Sequence, residues 1–415
     1  MEFPTWVEVD LDRFQRNVEA IRAATGAACR ILLVVKADAY GHGAVEIARH
    51  AVANGVSMLG VATLHEGIEL RGAGITAPIV VLSPTLLSEA DEILEHRLTP
   101  CVATPEFAER LSERCVAHRA ECRVHVEVDT GMGRTGVSDG EAVAFVERLA
   151  ALPGLSLEGV FTHFPDADSG RTDFTEEQLR RYDAVLRDLA LRKIEVPIRH
   201  AANSAGILSV RASHRDMVRP GILAYGVYPT ADAPRSVRVE GILTFKTRIV
   251  QIREHPPGRN ISYGRTYQTT RWTRVAVLPV GYGHGYPWAL GNRGEVLVRG
   301  KRAPILGRVT MDLTMVDVSD IPDARLEDEV VLWGEQRGAR LSLNEVAERA
   351  QTIPYDLLCG MGKRVVRLFL SAGAPTKVVT LIGERRELDV VESGGGSGDR
   401  RKRRRIEYRN VRKDP

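Results

Sequence analysis

The stretch Ile31-Leu-Leu-Val-Val-Lys-Ala-Asp-Ala-Tyr-Gly-His-Gly43 joins a short apolar run to a glycine-bearing loop through a lysine. Five consecutive apolar residues predict a strand buried on both faces, as in a parallel sheet. Similar runs recur about every 25 residues up to residue 230, with helical patterns between them, which is typical of repeated βα units. When such units close into a barrel, the ends of the strands carry the active site.

The number of these runs favours a TIM barrel. The others are rich in β-branched residues and span residues 58–61, 78–82, 123–128, 157–162 and 198–200, with weaker candidates at 99–102 and 222–226. With the first run they number about eight, the strand count of that fold. Thr104 and Pro105 indicate the start of one intervening helix, and segments 142–149 and 176–191 carry apolar residues at helical spacing. We therefore predict an α/β protein with an N-terminal (β/α)8 TIM barrel.

A change of pattern near residue 236 marks a second domain. Its long strand-like stretches are separated by turn residues and cover residues 241–253, 275–280, 295–299 and 314–318. One clear helix over residues 342–350 interrupts them, with a capping-box signal at Ser342 and Glu345. The predicted domains are a barrel over residues 1–235 whose first residues are candidates for the second domain, a mainly antiparallel β domain over 236–372, and a disordered basic tail over 373–415.

Composition points to a globular cytoplasmic protein. The 415 residues, 44% of them hydrophobic and 27% charged, are enough for a large domain and a smaller one. The chain opens with no basic segment followed by an apolar one, and no run is long enough to cross a membrane, so we expect no membrane contact. The five cysteines lack spacing suited to disulfides. Cys115, His118 and Cys122 lack a fourth zinc ligand, so we predict no metal.

The formal net charge of +3 is dominated by the C-terminal residues. Residues 399–415 hold nine Lys or Arg and three Asp or Glu, so the rest of the chain carries a formal charge of −3. This distribution argues against a nucleic-acid-coating surface on the folded domains. The block 400–405 follows linker composition at 393–398, which favours a solvated appendage over a segment that contacts RNA or a membrane surface.

Lys36 is the first candidate for chemistry. A buried lysine favours its neutral, nucleophilic form, which is the form that makes Schiff bases. An isolated strand-end lysine would more often extend its ammonium group to solvent. Here, however, further polar residues end the predicted strands or follow them, and these are Arg134, His163, His200 and Arg219. The backbone amides of Gly221 and Ile222 could bind a phosphate, so the catalytic interpretation gains weight.

Two further patterns were weighed for function. Gly131-Met-Gly-Arg-Thr-Gly136 matches the dinucleotide-binding glycine pattern, but it lies far from an opening βαβ unit and no acidic residue ends a clear strand about 20 residues later. We therefore reject a dinucleotide site. In the second domain, Tyr263, Tyr282 and the pair Met311-Asp312 lie in predicted turns, where functional residues are more frequent than in cores.

Nine segments, taken in order, resemble the fold-type III pyridoxal phosphate-dependent alanine racemases across residues 3–372. The segments are VVKADAYGHG, VDTGMGRTG, FTHF, HAANSAG, MVRPGI, ISYGRTY, VGYGHGYP, GRVTMD and IPYDLLCGMGKRV. The resemblance implies an α/β barrel, a C-terminal β domain and a head-to-tail homodimer whose active sites draw residues from both chains. It also implies pyridoxal 5'-phosphate as cofactor, a small amino acid as substrate, and interconversion of L- and D-alanine, which supplies D-alanine for peptidoglycan.

By the same resemblance, Lys36 carries the cofactor and acts as the base on one face of the substrate. Tyr263 of the partner subunit is the base on the other face, because racemisation removes a proton from one side and returns one to the opposite side. A tyrosine with a pKa near 10 needs assistance for this role, and His200 is the expected helper between Tyr263 and Arg219. Arg219 matches the arginine that faces the pyridine nitrogen, which favours racemisation over transamination.

The remaining site residues also follow from the resemblance. The expected phosphate contacts are Tyr40, Ser204, Gly221, Ile222 and Tyr355. The expected neighbours of the cofactor ring are His163 and Asn203. Arg134 and the Met311 backbone of the partner are expected to bind the substrate carboxylate, with Tyr282 and Asp312 as supporting residues.

Three positions depart from the family. Glu127 replaces a lysine that is often carbamylated, and we expect its carboxylate to position Arg134 without carbon dioxide. Asp38 stands where asparagine is frequent, and Trp288 stands where an arginine commonly lines the substrate channel. Because Trp288 removes a cation, a serine racemase or one of broader specificity is the main alternative. A pyridoxal-dependent decarboxylase fits Arg219 poorly, and a small non-enzymatic pyridoxal-binding protein would lack the domain that contains Tyr263.

Overall fold

The contacts of the chain separate two units. The computed structural model describes residues 3–169 and 171–386. Residues 14–240 form one unit, and the residues up to 13 and from 241 onward form the other. The sequence places this boundary near residue 235, with the first residues as candidates for the second domain.

The unit 14–240 is a closed barrel of eight parallel strands, as predicted. In chain order the strands are Arg30–Val34, Met58–Val61, Ile79–Val81, Thr99–Val102, Cys122–Asp129, Leu155–Phe161, Ile198–Asn203 and Met217–Arg219. The last strand pairs with the first, and Thr99–Val102 pairs with Cys122–Asp129, so the sheet has no open edge along this path. Ile31, Leu32 and Leu33 are fully buried, as expected for a strand covered on both faces.

The eighth strand differs from the prediction. The weak candidate at residues 222–226 is wrong, and Met217–Arg219 is the strand. Pro220 follows it directly, and successive turns hold the next residues, with Tyr225 N donating to Ile222 O at 3.1 Å. Proline cannot donate to a sheet, so the strand ends before it.

The sequence predicts the start of one of the helices around the barrel and the interior of two others. They are Leu11–Thr25, Ala44–Ala53, Leu64–Gly72, Ala90–Glu95, Pro105–His118, Asp139–Ala150, Asp173–Leu191 and Ser204–Ser209. Thr104 Oγ1 accepts from Phe107 N at 3.3 Å, which confirms the predicted N-cap. The predicted helical segments 142–149 and 176–191 lie inside two of these helices.

The second unit is mainly antiparallel. Its larger sheet runs in the order Lys301–Pro304, Glu295–Val298, Glu329–Gln336, Leu243–Arg248, Thr5–Asp10, Val366–Ser371, Ala374–Thr380 and Gly383–Arg386, with Ala339–Leu341 beside Glu329–Gln336. Its smaller sheets contain Gln251–His255, Thr273–Leu278 and Thr314–Asp317, and separately Asn260–Ile261 and Tyr267–Gln268. Thr5–Asp10 pairs antiparallel with Leu243–Arg248 and parallel with Val366–Ser371.

Three details of this unit differ from the prediction. The stretch 241–253 is divided between two sheets after Arg248. The predicted helix is present as Leu343–Arg349 with Ser342 as its cap, but Pro354–Cys359 adds a second one. The predicted tail begins too early, because residues 374–386 form strands that continue the larger sheet. The basic block 400–405 lies outside the described residues.

The described residues include no group of three or more His, Cys, Asp or Glu arranged to hold a metal ion. Within the same ranges, each helix is too short or too polar to cross a membrane. The cytoplasmic location stays a prediction.

Candidate active site

Lys36 is half-buried at the end of its strand and starts an unusual turn. The four residues Ala37 to Tyr40 all have positive φ angles between 52° and 54°. Each non-glycine residue in this left-handed region costs about 1–2 kcal/mol. Surrounding contacts must therefore hold the turn.

Two carboxylates hold the left-handed turn in place. Glu66 Oε1 accepts from Ala37 N at 2.7 Å, while Glu66 Oε2 accepts from Ala62 N at 2.7 Å beyond the next strand. Asp38 Oδ1 accepts from Ala44 N at 2.7 Å, at the first residue of the following helix. Asp38, one of the departures from the family, is thus a structural residue that fixes the loop after Lys36.

A small cradle of backbone amides and the Ser204 hydroxyl surrounds Gly221. Ser204 Oγ accepts from Gly221 N at 3.0 Å and from Leu223 N at 3.3 Å, and within the described chain its own proton has no acceptor. The N–H of buried Ile222 likewise has no hydrogen-bond partner among the described residues. A Cβ atom at Gly221 would lie 2.5 Å from Tyr40 Oη, so only glycine leaves room there.

Arg219 lies buried beside this cradle and is hydrogen-bonded at several points. Its Nη2 donates to Thr162 O at 2.8 Å and to Ala201 O at 3.1 Å, and its Nη1 lies 3.0 Å from His200 Nδ1. Its guanidinium carbon lies 5.0 Å from the ring centroid of Phe161. Burial lowers the pKa of Arg219 to about 10, so the side chain remains charged at neutral pH.

His200 does not occupy the place expected of it. It is fully buried, and both of its ring nitrogens are engaged, Nδ1 with Arg219 and Nε2 with His125 Nδ1 at 2.9 Å. No nitrogen is left for a tyrosine from another chain. The expected role of His200 as a bridge between Tyr263 and Arg219 is therefore wrong.

His163 fits that role better. Its Nδ1 lies 3.4 Å from Arg219 Nη2, and the side chain is only half-buried. Burial, followed by the charges of Arg219, Arg134 and Lys36, holds the pKa of His163 well below its usual value, so the ring is neutral. Asn203 Nδ2 lies 3.5 Å from Nε2, so a donor faces each ring nitrogen, and the neutral ring can accept from only one of them. Asn203 lies beside this ring and donates through Nδ2 to Phe164 O at 2.9 Å.

The glycine-rich loop 130–136 is organised by Asp129. Its Oδ1 accepts from the amides of Gly131, Met132 and Gly133 at 2.9, 2.8 and 3.1 Å. Arg134 is exposed in this loop. Three backbone bonds to one carboxylate thus fix the loop that presents Arg134.

Glu127 contacts the loop differently from the expectation. Its Oε2 accepts from Thr135 Oγ1 at 2.7 Å, and the residue is only 4% exposed. Within residues 3–169 and 171–386, no hydrogen bond or ion pair joins Glu127 to Arg134. Glu127 therefore holds Thr135, the residue after Arg134, through a hydrogen bond and does not pair with Arg134 itself.

Thr135→Val tests this contact. The substitution keeps the shape of the side chain but leaves a buried carboxyl oxygen without its donor, so we expect the free energy of unfolding in urea to fall by about 1–3 kcal/mol. Thr172→Val is the matched control, because the Thr172 hydroxyl donates to Glu176 at 3.1 Å near solvent. The control should change stability by less than about 0.5 kcal/mol. Equal small losses in both variants would contradict the assignment.

The second unit presents a separate group of exposed aromatic and apolar side chains. Tyr263 is 73% exposed, Met311 52% and Tyr282 46%. Ser262 Oγ donates to Arg308 O at 2.7 Å, and Gly283 N donates to Met311 O at 2.9 Å. Hydrogen bonds to backbone oxygens of the segment 308–311 therefore connect the loops of Tyr263 and Tyr282 to that of Met311.

The supporting residues of the second unit lie near these loops or in the last helix. Asp312 Oδ1 accepts from Arg364 Nη2 at 2.7 Å. Trp288 has the guanidinium carbon of Arg308 5.5 Å from its ring centroid, so a cation is still present beside the position where the family has arginine. Tyr355 is half-buried in Pro354–Cys359.

Sequence reasoning missed three polar residues of the barrel. Glu66, His125 and Glu158 each hold another polar group in place. A signal for His125 existed, since a histidine in the run Arg123-Val-His-Val-Glu-Val128 is a polar residue within a buried strand. Glu66 had no such signal, because helix residues are commonly charged.

Comparison with known families covers most of the chain. The model of the alanine racemase N-terminal domain matches residues 9–229, and that of the alanine racemase C-terminal domain matches residues 242–369. A curated alanine racemase of Halothermothrix orenii is 45% identical over 364 residues, which are 88% of this chain and 96% of the relative. Alanine racemase 2 of Caldanaerobacter subterraneus is 42% identical over 371 residues, 89% and 96% of the two chains.

Solved structures agree with the sequence comparison. Alanine racemase of Clostridium difficile 630 superposes with a TM-score of 0.88 at 33% identity, over 92% of this chain and all of that one. Alanine racemase of Bacillus anthracis with bound L-Ala-P gives a TM-score of 0.87 at 34% identity, over 92% and 98% of the two chains.

Proposed function

The chain belongs to the alanine racemase family of isomerases, and on that premise we propose that Lys36 carries pyridoxal 5'-phosphate and exchanges the α-proton of alanine with Tyr263 of the partner subunit. Alanine racemases interconvert L- and D-alanine. The observation that best supports the proposal is the position of Lys36 just after the strand Arg30–Val34, which pairs with the strand Met217–Arg219 that leads into the Gly221 cradle.

The residues of the barrel fit a phosphorylated pyridine cofactor. The free amide of Ile222 and the uncommitted hydroxyl proton of Ser204 are donors of the kind that bind phosphate. The space beside Gly221 admits the Tyr40 hydroxyl as a third donor. Gly221 N is already bonded to Ser204, so this glycine contributes room and not its amide. We assign Tyr355 to the same phosphate group from the family resemblance alone.

Arg219 and Lys36 have different proposed roles, Arg219 toward the pyridine ring and Lys36 toward the cofactor aldehyde and the substrate proton. The bound cofactor withdraws electrons from the α-carbon and so makes its proton acidic. Arg219, which remains charged and only donates, would bind the pyridine nitrogen without protonating it and so limit that withdrawal. The Lys36 amine would hold the cofactor and take or return the proton on one face of the α-carbon.

Tyr263 of the partner subunit is the proposed base on the opposite face. His163 supports this role, because with Nδ1 accepting from Arg219 and the proton on Nε2 it would donate to a phenolate oxygen. Arg219 holds the other nitrogen of His163, so the histidine keeps this orientation. A tyrosine oxygen that accepts such a bond is stabilised as an anion and becomes a stronger acid in its neutral form.

The substrate carboxylate is assigned to Arg134 and to the Met311 backbone of the partner subunit. Arg134 is exposed in a loop whose backbone is held by three hydrogen bonds to Asp129. The backbone that carries the Arg134 side chain is therefore fixed before substrate binds. Binding the carboxylate at one side and the amino group at the other fixes the α-proton in line with the two bases.

We propose a homodimer in which each active site takes Tyr263 and Met311 from the other chain. The exposure of Tyr263, Tyr282, Trp288 and Met311 supports an interface, because large apolar side chains clustered on a surface mark protein contacts. The family relationship supports the same assembly.

The first experiment measures racemisation directly. Purified protein with added pyridoxal 5'-phosphate should show an absorbance band for the bound cofactor and should convert L-alanine to D-alanine, and the reverse, until the two are equal. Chiral chromatography of the products gives both rates. A protein that binds the cofactor but leaves both enantiomers unchanged would contradict the proposed function.

The range of substrates is the second point to measure. Trp288 stands where the family commonly has an arginine at the substrate channel, and the guanidinium of Arg308 lies beside the Trp288 ring. This positive charge would repel a cationic side chain, which supports alanine as the substrate over lysine or arginine. We expect kcat/KM to be highest for alanine, lower for serine, and lowest for lysine and arginine. Equal turnover of lysine and alanine would favour a racemase of broad specificity.

A further inference from the structure

A row of buried polar side chains continues from Arg219 into the barrel. Arg219 Nη1 lies 3.0 Å from His200 Nδ1, and His200 Nε2 lies 2.9 Å from His125 Nδ1. His125 Nε2 lies 3.2 Å from Glu158 Oε2. Both histidines are fully buried. The proposed mechanism uses only Arg219, so the other three residues have no role in it.

The chemistry of Arg219 fixes the direction of every bond in this row. Arginine only donates, so His200 Nδ1 must accept, and a neutral His200 then carries its proton on Nε2. That proton is donated to His125 Nδ1, which leaves the His125 proton on Nε2, facing Glu158. A carboxylate only accepts, so it is a suitable end for the row.

Two backbone features of the strand Leu155–Phe161 place Glu158 and His125 in this row. Val124 pairs with Leu157 and His125 pairs with Gly159, so Glu158 is an extra residue that the strand pairing skips. Such a bulge redirects a side chain that a regular strand would point elsewhere. At Gly159, a Cβ atom would lie 2.7 Å from the His125 ring, so the absence of a side chain admits the ring.

Packing keeps the two middle groups in place. The His200 ring stacks on Phe161, with ring centroids 4.8 Å apart and planes 18° apart. The same Phe161 ring lies under the Arg219 guanidinium. His200 and Arg219 therefore share one supporting face, and a shift of either would disturb the other.

Glu158 itself remains ionised at the opposite end of the strands. It lines a cavity of about 660 Å³ together with Thr99 and Cys122, the first residues of their strands. Burial raises the pKa of its carboxyl, but the hydrogen bonds from His125 and Arg123, together with the nearby positive charge, outweigh this and lower the pKa below its usual value. Arg123 Nη1 lies 3.1 Å from Glu158 Oε1. The row thus joins a cation to an anion through two imidazole rings.

We propose that Glu158 and His125 are positioning residues for the reaction, because their hydrogen bonds hold His200 and thereby fix the guanidinium of Arg219 against the cofactor ring. Bonds that end on a charged acceptor are stronger than neutral ones, and bonds in a chain polarise one another. The inference rests on the proposed function, since it concerns the residue that would bind the cofactor nitrogen. It adds a role for two residues that do not touch the substrate.

Glu158→Gln tests the proposal with little change of shape. The amide oxygen can still accept from His125, but the negative charge is gone. We expect kcat for alanine to fall about tenfold, within the range seen when a supporting partner of a site residue is removed. The KM for alanine should stay within about twofold, because Arg134 and not Arg219 is assigned to the substrate. Glu158→Leu, which removes the acceptor as well, should lower kcat further.

Nitrogen NMR of histidine-labelled holoenzyme gives a readout that does not depend on turnover. In the unsubstituted protein, His200 and His125 should both carry the proton on Nε2. In Glu158→Gln, the ring-nitrogen shifts of both histidines should move, since the anionic end of the row is lost. Thermal unfolding of each variant checks that it folds.

Asp216→Asn is the matched control. Asp216 accepts two bonds from the Arg199 guanidinium at 2.7 and 2.8 Å in the same barrel, but no described contact joins it to the row. The control should lose stability while kcat and the His200 shifts remain unchanged. The proposal is overturned if Glu158→Gln leaves kcat within twofold of the unsubstituted enzyme, or leaves the His200 shifts unchanged. If the unsubstituted enzyme itself fails to racemise alanine, the proposed function fails, whereas the NMR result still tests the row.

Discussion

Replacing Lys36 with alanine should lower racemisation in both directions by about 10⁴-fold or more, because one residue holds the cofactor and also serves one face of the substrate. The variant removes an amine that follows the strand Arg30–Val34 and precedes the left-handed turn. Alanine is compatible with this backbone, so the fold should survive. Racemisation is measured by chiral chromatography from each enantiomer separately.

The attachment of the cofactor can be checked in the same preparation. Borohydride should fix pyridoxal 5'-phosphate to a peptide that contains Lys36 in the unsubstituted protein, and mass spectrometry should find no such adduct in Lys36→Ala. Lys301→Ala, at an exposed strand of the second unit, is the control and should behave as the unsubstituted enzyme. Substantial racemisation without Lys36 would refute the assignment.

Tyr263→Phe should lower racemisation by about 10²- to 10⁴-fold, the usual contribution of a positioned acid or base. The change removes only the hydroxyl, and the residue is 73% exposed in its own chain, so stability should change little. Because Lys36 remains, the variant should still exchange the α-proton of one enantiomer with solvent deuterium. Racemisation would be lost while this one-sided exchange continues, which distinguishes a missing base from a misfolded site.

Tyr267→Phe provides the comparison, since Tyr267 lies in the short strand next to the same loop and packs against Ile261 and Leu306. It should retain the rate of the unsubstituted enzyme. If Tyr263→Phe racemises normally, or if it loses proton exchange for both enantiomers, the two-base assignment is incorrect.

The sequence predicted the barrel and the position of Lys36 because both depend on local patterns. Ile31 to Val35 are apolar without interruption, and the lysine that follows marks the strand end. The left-handed turn could not be predicted in this way. Ala37 and Ala39 favour ordinary helical geometry, and the turn exists because Glu66 accepts from Ala37 N across 29 positions of sequence.

The roles of the two histidines show a second limit. His163 follows the strand Leu155–Phe161 and His200 lies inside the strand Ile198–Asn203, but nothing in the neighbouring sequence shows which histidine contacts Arg219 from the buried side. The contact partners of His200 depend on His125, which is hydrogen-bonded to His200 Nε2, and on the strand pairing that skips Glu158. A bulge has little sequence signature, so pairings set by it appear only in three dimensions.

The strand Thr5–Asp10 has a consequence for the synthesis of the chain. Its two neighbours in the sheet, Leu243–Arg248 and Val366–Ser371, are translated long after it. At roughly 5–20 residues per second, the earlier strand waits some tens of seconds on the ribosome before either neighbour emerges. Trp6, Val7 and Val9, which end up buried, are available to other chains during that interval. This part of the sheet is therefore completed only after Val366–Ser371 has been synthesised, and chaperones that bind nascent chains would have a clear target in the strand Thr5–Asp10.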